Sequence, residues 1–112
     1  MTLNEYQTQA RRTALYPEEA WLVYPTLGLA GEAGELANKI KKLLRDHADA
    51  RAALEDAALR EEVLQELGDV LWYVAAVASD LGVPLEEVAR MNLAKLSSRM
   101  ARGRIGGSGD RR

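Results

Sequence analysis

The chain has 112 residues, with 15 basic against 17 acidic side chains, one histidine and no cysteine, for a net charge of −2. That length suits one domain around one core, and the missing cysteine excludes disulfides and any Cys-based zinc site. The longest apolar run, Val70 to Ala78, falls short of the ~20 residues of a membrane span, and no signal-peptide pattern is present, so a soluble, cytoplasmic chain is expected.

Residues 3–14, with Leu3, Tyr6, Ala10 and Ala14, predict a short amphipathic helix that breaks before Pro17. Pro17 to Trp21 add at most a further turn. Pro25 and Thr26 open a long second helix, since proline is tolerated in a first turn. It runs to about Asp46, with Lys39, Lys41, Lys42 and Arg45 in its C-terminal half, where cations suit the macrodipole. Gly28, Gly31 and Gly34 are costly inside a helix, up to ~1 kcal/mol each against alanine. Their spacing makes a smooth strip, either for a close-approaching backbone or ligand or for tight helix packing.

His47 to Ala58 form an alanine-rich connector that is partly helical. A third helix is expected from near Leu59, with Glu61 and Glu62 in its first turn, to Leu81, closed by Gly82 ahead of Pro84. A fourth spans Leu85 to about Ala101. Residues 1–102 thus read as the folded domain and 103–112 as a flexible basic tail; residues 102–112 carry a net of +3, leaving −5 on the first 101. The tail is a weak nucleic-acid signal, and nucleic acid is disfavoured as a partner. No strand pattern, repeat or glycine-rich phosphate loop is present. The fold class is all-α, an antiparallel bundle of four to five helices.

Two segments carry the chemistry. Leu27 to Ala37 contain only two charged side chains, Glu32 and Glu35, and Glu66 to Tyr73 contain only Glu66 and Asp69. Residues i and i+3 share a helix face with Cβ atoms roughly 5–6 Å apart, so each pair is a two-carboxylate claw. Both segments are nearly apolar all round, which predicts helices buried on more than one side. Buried carboxylates are costly unless paired or bound to metal, and Lys39 alone cannot balance four acids. A bound cation answers this better than a solvated acidic face. If the second and third helices form an antiparallel hairpin, its midpoint falls inside the connector and the two claws lie level.

Carboxylates without histidine or cysteine select a hard cation, Mg²⁺ with Mn²⁺ as a substitute. A di-iron site would need Glu-x-x-His on two helices, and His47 is the only histidine. Mg²⁺ held this way completes its shell with water and substrate phosphates. On the fourth helix Asn92, Lys95 and Arg99 share a face that could meet phosphates. An ordinary amphipathic helix with Leu93 and Leu96 inward fits the spacing equally well.

Gly31-Glu32-Ala33-Gly34-Glu35-Leu36, Glu66-Leu67-Gly68-Asp69-Val70-Leu71-Trp72-Tyr73 and Asn92-x-x-Lys95-Leu96-x-x-Arg99 together resemble the MazG-like all-α nucleoside triphosphate pyrophosphohydrolases, over roughly residues 20–103. The spacer from Leu36 to Gln65 lies at the long end for that family. The resemblance implies hydrolysis of a (d)NTP to the monophosphate and pyrophosphate, a nucleotide-pool house-cleaning activity. It makes Glu32, Glu35, Glu66 and Asp69 the metal ligands and places Lys39, Asn92 and Lys95 near the phosphates. Tyr73 would contact the base or sugar, with Trp21 and Tyr24 closing from outside and Trp72 turned away as core or interface. Glu32, ahead of Glu35, is the expected general base. Glu62 is either a further acid at the site's edge or an ordinary residue of the helix start.

Val70 to Ala78 are apolar on every helical face, more than one hairpin covers, so a homo-oligomer is expected to complete the core. The resemblance suggests a dimer or a pair of dimers, with a tetramer preferred. The alternative to an enzyme is a non-catalytic helical interaction module holding a structural ion.

Overall fold

The computed structural model describes residues 1–112 and is all-helical: α1 (Leu3–Arg11), a 3₁₀ turn (Glu18–Ala20), α2 (Val23–Asp46), α3 (Ala50–Ala53), α4 (Ala57–Asp80) and α5 (Leu85–Ala101). Each boundary has a local cause. Thr2 and Glu5 form a reciprocal capping box at the start of α1, with the Glu5 N–H 3.1 Å from Thr2 Oγ1 and the Thr2 N–H 2.9 Å from Glu5 Oε2. Asp49 caps α3. Asp56 accepts from the N–H groups of Ala58 and Leu59 at 2.9 and 3.1 Å, so α4 starts at Ala57 rather than near Leu59. Glu61 and Glu62 consequently sit beyond its first turn, a correction to the sequence reading. At the far end Gly82, at φ +69°, allows paired bonds from Gly82 N–H to the Ser79 carbonyl and from Val83 N–H to the Ala78 carbonyl.

α2 and α4 form the antiparallel hairpin, and α1 crosses the C-terminal half of α4 with α5 beside it. The N-terminus of α5 is capped from α1. The N–H groups of Leu85 and Glu86 donate to Gln7 Oε1 and Asn4 Oδ1 at 2.8 and 3.0 Å, and Gln7 Nε2 reaches back to the Val83 carbonyl. Ala75, Ala78 and Leu85 are the buried centre, with Tyr6 and Val74 packed on it.

Only eight residues are buried. The radius of gyration is 17.0 Å, where a compact chain of this length has about 13–14 Å. Leu27, Leu64, Leu67 and Leu71 remain 40–68% exposed. Burial of the claw segments on more than one side is therefore not supplied by this chain. α1 covers α4 between Trp72 and Asp80, and the middle of the α2–α4 hairpin stays open. Residues 103–112, read from composition as a flexible tail, run as turns beside α5, with Asp110 accepting from Lys95 and Arg99. No helix is long and apolar enough to cross a membrane.

The link between α1 and α2 is held by one α4 side chain. Asp80, with its side chain 1% exposed, pairs with Arg11 at 2.9 Å. It also accepts from the Tyr16 hydroxyl at 2.8 Å and the Leu22 N–H at 2.9 Å. Burial pushes this carboxyl up, but Leu22, Tyr16 and Arg11 together hold it below the ordinary aspartate value. The folded chain thus binds this proton more weakly than the unfolded one. Its contribution to stability is present above the unfolded value, ~3.9, and is lost as pH falls through the lowered folded value. Asp80→Asn should cost about 1–3 kcal/mol at neutral pH and flatten the acid limb of the urea-midpoint profile. An unchanged acid limb would assign it to another carboxylate.

Candidate metal centre

The hairpin register brings Gly28 against Tyr73, Glu32 against Asp69 and Lys39 against Glu62. A Cβ at position 28 would fall inside the Tyr73 ring, whereas nothing lies within 4 Å of one at Gly31, Gly34 or Gly68. The glycine strip therefore divides: Gly28 seats an aromatic ring, and the other glycines border open space.

Oxygens of Glu32, Glu66 and Asp69 lie within 4.8 Å of one another, with Glu32 and Glu66 half-buried and Asp69 exposed. Burial, then the charges of Asp69 and Glu66, hold the Glu32 carboxyl above its ordinary value, with a smaller push from Glu35. Glu35 is exposed and outside the three-acid group. Lys39 Nζ stands 3.8 Å from both Glu66 and Glu62, a long pair shared between two acids. Three close carboxylates with so little positive charge fit a hard cation with oxygen ligands.

Two hollows flank the acids. Towards the connector, Lys39, Lys42 and His47 line one of about 270 Å³ together with Asp46 and Glu62. On the other side is an open hollow of about 570 Å³ lined by Tyr16, Tyr24, Trp72 and Tyr73, with Glu32 and Asp69 in its wall. Tyr16 stacks on Tyr24 with centroids 4.8 Å apart and planes 17° from parallel. Trp72 meets Tyr73 edge-on at 4.9 Å, and its indole N–H donates to Thr13 Oγ1 at 2.8 Å. Trp72, read from the sequence as turned away into core or interface, is bonded to Thr13 but lines the same hollow as Tyr73, because the two adjacent rings meet edge-on.

Tyr73 and Tyr24 line the hollow beside Glu32 and Asp69. Trp21 does not line the hollow: its indole N–H donates to the Asp80 carbonyl at 2.6 Å. Asn92 and Lys95 line a separate hollow with Leu81 and Val83, and Lys95 is 3.2 Å from Asp110. Tyr16 and Thr13 were missed by sequence reasoning. A tyrosine beside Pro17 was the only local sign, and the contacts that place it come from Arg11 of α1, Tyr24 of α2 and Asp80 of α4.

Residues 25–102 match the MazG nucleotide pyrophosphohydrolase domain. The chain is 48% identical to the Gene 37 protein of Mycobacterium phage L5, with 100% of both chains covered. It is 32% identical over 90 residues to the uncharacterized protein YvdC of Bacillus subtilis strain 168, covering 75% of this chain and 84% of that one. No solved structure gives a significant match.

A carboxyl held above its ordinary value binds its proton more tightly in the folded chain. Glu32 therefore favours folding below the ordinary 4.5, and that contribution is lost as pH rises through its folded value. At neutral pH its charge opposes folding. Glu32→Gln should raise the melting temperature of the metal-free protein at pH 7, and the gain should disappear near pH 4. A variant that melts no higher at pH 7 would show that the carboxylates do not strain the hairpin.

Proposed function

Because the chain belongs to the MazG nucleotide pyrophosphohydrolase family, we propose that it is a Mg²⁺-dependent nucleoside triphosphate pyrophosphohydrolase, with Mn²⁺ as a substitute. It would cleave a (d)NTP between the α- and β-phosphates, releasing the monophosphate and pyrophosphate, as a house-cleaning activity of the cytoplasmic nucleotide pool. The observation that carries this reading is the convergence of Glu32, Glu66 and Asp69 from two helices, beside a hollow walled by aromatic rings.

Glu32, Glu66 and Asp69 would hold the cation, with Glu35 joining from one turn along α2. When bound, the cation offsets phosphate charge and polarises the phosphorus centre. The chain's own groups do the rest. Glu32 accepts the proton of the attacking water. The water oxygen bonds to the α-phosphorus as its bond to the bridging oxygen breaks, and pyrophosphate departs. Lys39 offsets charge on the outgoing phosphates, and Tyr73 with Tyr24 holds the nucleoside. Asn92 and Lys95 line a separate hollow within one chain, so in this reading they serve the phosphates of a neighbouring copy.

Pyrophosphate release from mixed nucleoside triphosphates, with and without Mg²⁺, tests the reaction. Glu66→Gln and Asp69→Asn should each lower the rate by orders of magnitude with helical circular dichroism unchanged. Full activity in either would remove that residue from the site. No release from any triphosphate, together with a metal-induced rise in melting temperature, would identify a non-catalytic module with a structural ion instead.

A homo-oligomer belongs to the same proposal, a tetramer ahead of a dimer. Leu27, Leu64, Leu67 and Leu71 are exposed beside glycines with open space around them, and a second copy would bury them. Light scattering should give a multiple of 12.3 kDa at micromolar concentration; a monomeric mass would overturn the idea.

A further inference from the structure

We propose that Tyr16, clamped by Arg11 and Asp80, is the outer stacking wall for the base of the bound nucleotide. The inference rests on the nucleotide reading above and adds a part of the site contributed from outside the family-matched residues 25–102. Tyr16 is half-buried, and its ring stacks directly on Tyr24 in the wall of the 570 Å³ hollow that also includes Glu32 and Asp69. That volume falls in the range of ligand pockets, about 300–1,000 Å³. A nucleotide whose phosphates lie at the carboxylates has this hollow within reach of its base.

The tyrosine is fixed at its hydroxyl, not by its neighbours in the chain. Tyr16 Oη donates to Asp80 Oδ1 at 2.8 Å and accepts from Arg11 Nη1 at 2.6 Å. Arg11 bonds the same carboxylate oxygen at 2.9 Å. The second carboxylate oxygen takes the Leu22 N–H, which holds the turn that delivers Tyr24. Asp80 is thus a positioning residue for both rings of the stack.

The polar groups of Tyr16, Trp72 and Thr13 are already committed. The Tyr16 hydroxyl serves Asp80 and Arg11, the Trp72 N–H serves Thr13, and the Thr13 hydroxyl donates to the Ala10 carbonyl at 2.7 Å. Tyr24 stacks on the Tyr16 ring and the Arg11 guanidinium lies over it, 5.5 Å from the centroid. What the wall offers a base is therefore the ring surface these two leave open to the hollow, and it recognises a planar heterocycle by stacking.

The test is calorimetric binding of the four nucleoside monophosphates, with ribose 5-phosphate as the ligand without a base, alongside steady-state kinetics on the triphosphates. Tyr16→Ala should weaken all four monophosphates by roughly five-fold or more and leave ribose 5-phosphate unchanged. In turnover it should raise KM with little change in kcat. Tyr16→Phe keeps the ring and loses its tether, so its effect should be intermediate. Asp80→Asn should move KM in the same direction, and the Tyr16 variants decide the matter where Asp80→Asn does not fold.

Triphosphate hydrolysis with monophosphate affinity untouched by Tyr16→Ala would overturn the wall and leave the reaction standing. Tyr16-dependent monophosphate binding without any hydrolysis would support the wall and overturn the reaction. Equal loss of ribose 5-phosphate and monophosphate binding would show that Tyr16 acts only on the fold.

Discussion

The packing of the Tyr73 ring on the bare backbone at Gly28 fixes how α2 and α4 lie together. Any side chain at position 28 would occupy the space of that ring. A slip by one turn would carry Tyr73 onto another residue and separate Glu32 from Asp69 by about 5 Å. A glycine inside a helix costs up to ~1 kcal/mol, and here it sets the register on which the acid cluster depends. The same register leaves three like charges close together with only Lys39 nearby. Packing of the aromatic ring thus offsets electrostatic repulsion one turn away.

A second constraint lies at the other end of α4. Leu22 has φ +64° and ψ −42°, and the Val23 N–H closes a tight bond to the Trp21 carbonyl at 2.6 Å. This is a γ-turn of the strained kind, in a conformation that non-glycine residues rarely adopt. Asp80 holds it by accepting the Leu22 N–H, while the Asp80 carbonyl accepts from Trp21. The strain is local, but the turn starts α2 at Val23 and sends Tyr24 towards Tyr16 and Tyr73. One carboxylate therefore connects the backbone entry of α2 with the aromatic side of the site.

What could be read from the sequence was whatever depends on periodicity or spacing. Glu-x-x-Glu and Glu-x-x-Asp place two acids on one helix face whatever else the chain does, and the connector at the hairpin midpoint made the claws level. Gly82 ahead of Pro84 marked the end of α4 for a local reason. The start of α4 was misplaced because the Asp56 cap acts over two or three residues and leaves no periodic trace. The capping of α5 by Asn4 and Gln7 and the bond from Tyr16 to Asp80 join residues 64 or more positions apart, and no local pattern encodes such pairs. Trp21 looked suited to a nucleotide site by residue type alone, and its actual partner is a backbone carbonyl.

The expected burial of the claws failed for a more informative reason. Apolar residues on every face of a helix specify that it must be covered, without specifying which chain covers it. α1 and α5 cover the C-terminal half of α4 and leave Leu64, Leu67 and Leu71 exposed. The carboxylates lie in the same open half, so one region carries both unpaired charge and uncovered apolar surface. Any ligand that binds only the folded chain stabilises it by mass action. A cation between the acids and a second copy over the leucines would act on the same pair of helices, and each would make the hairpin a better template for the other. Occupancy of the acids and burial of the apolar face would then be coupled through the α2–α4 register that Gly28 and Tyr73 set.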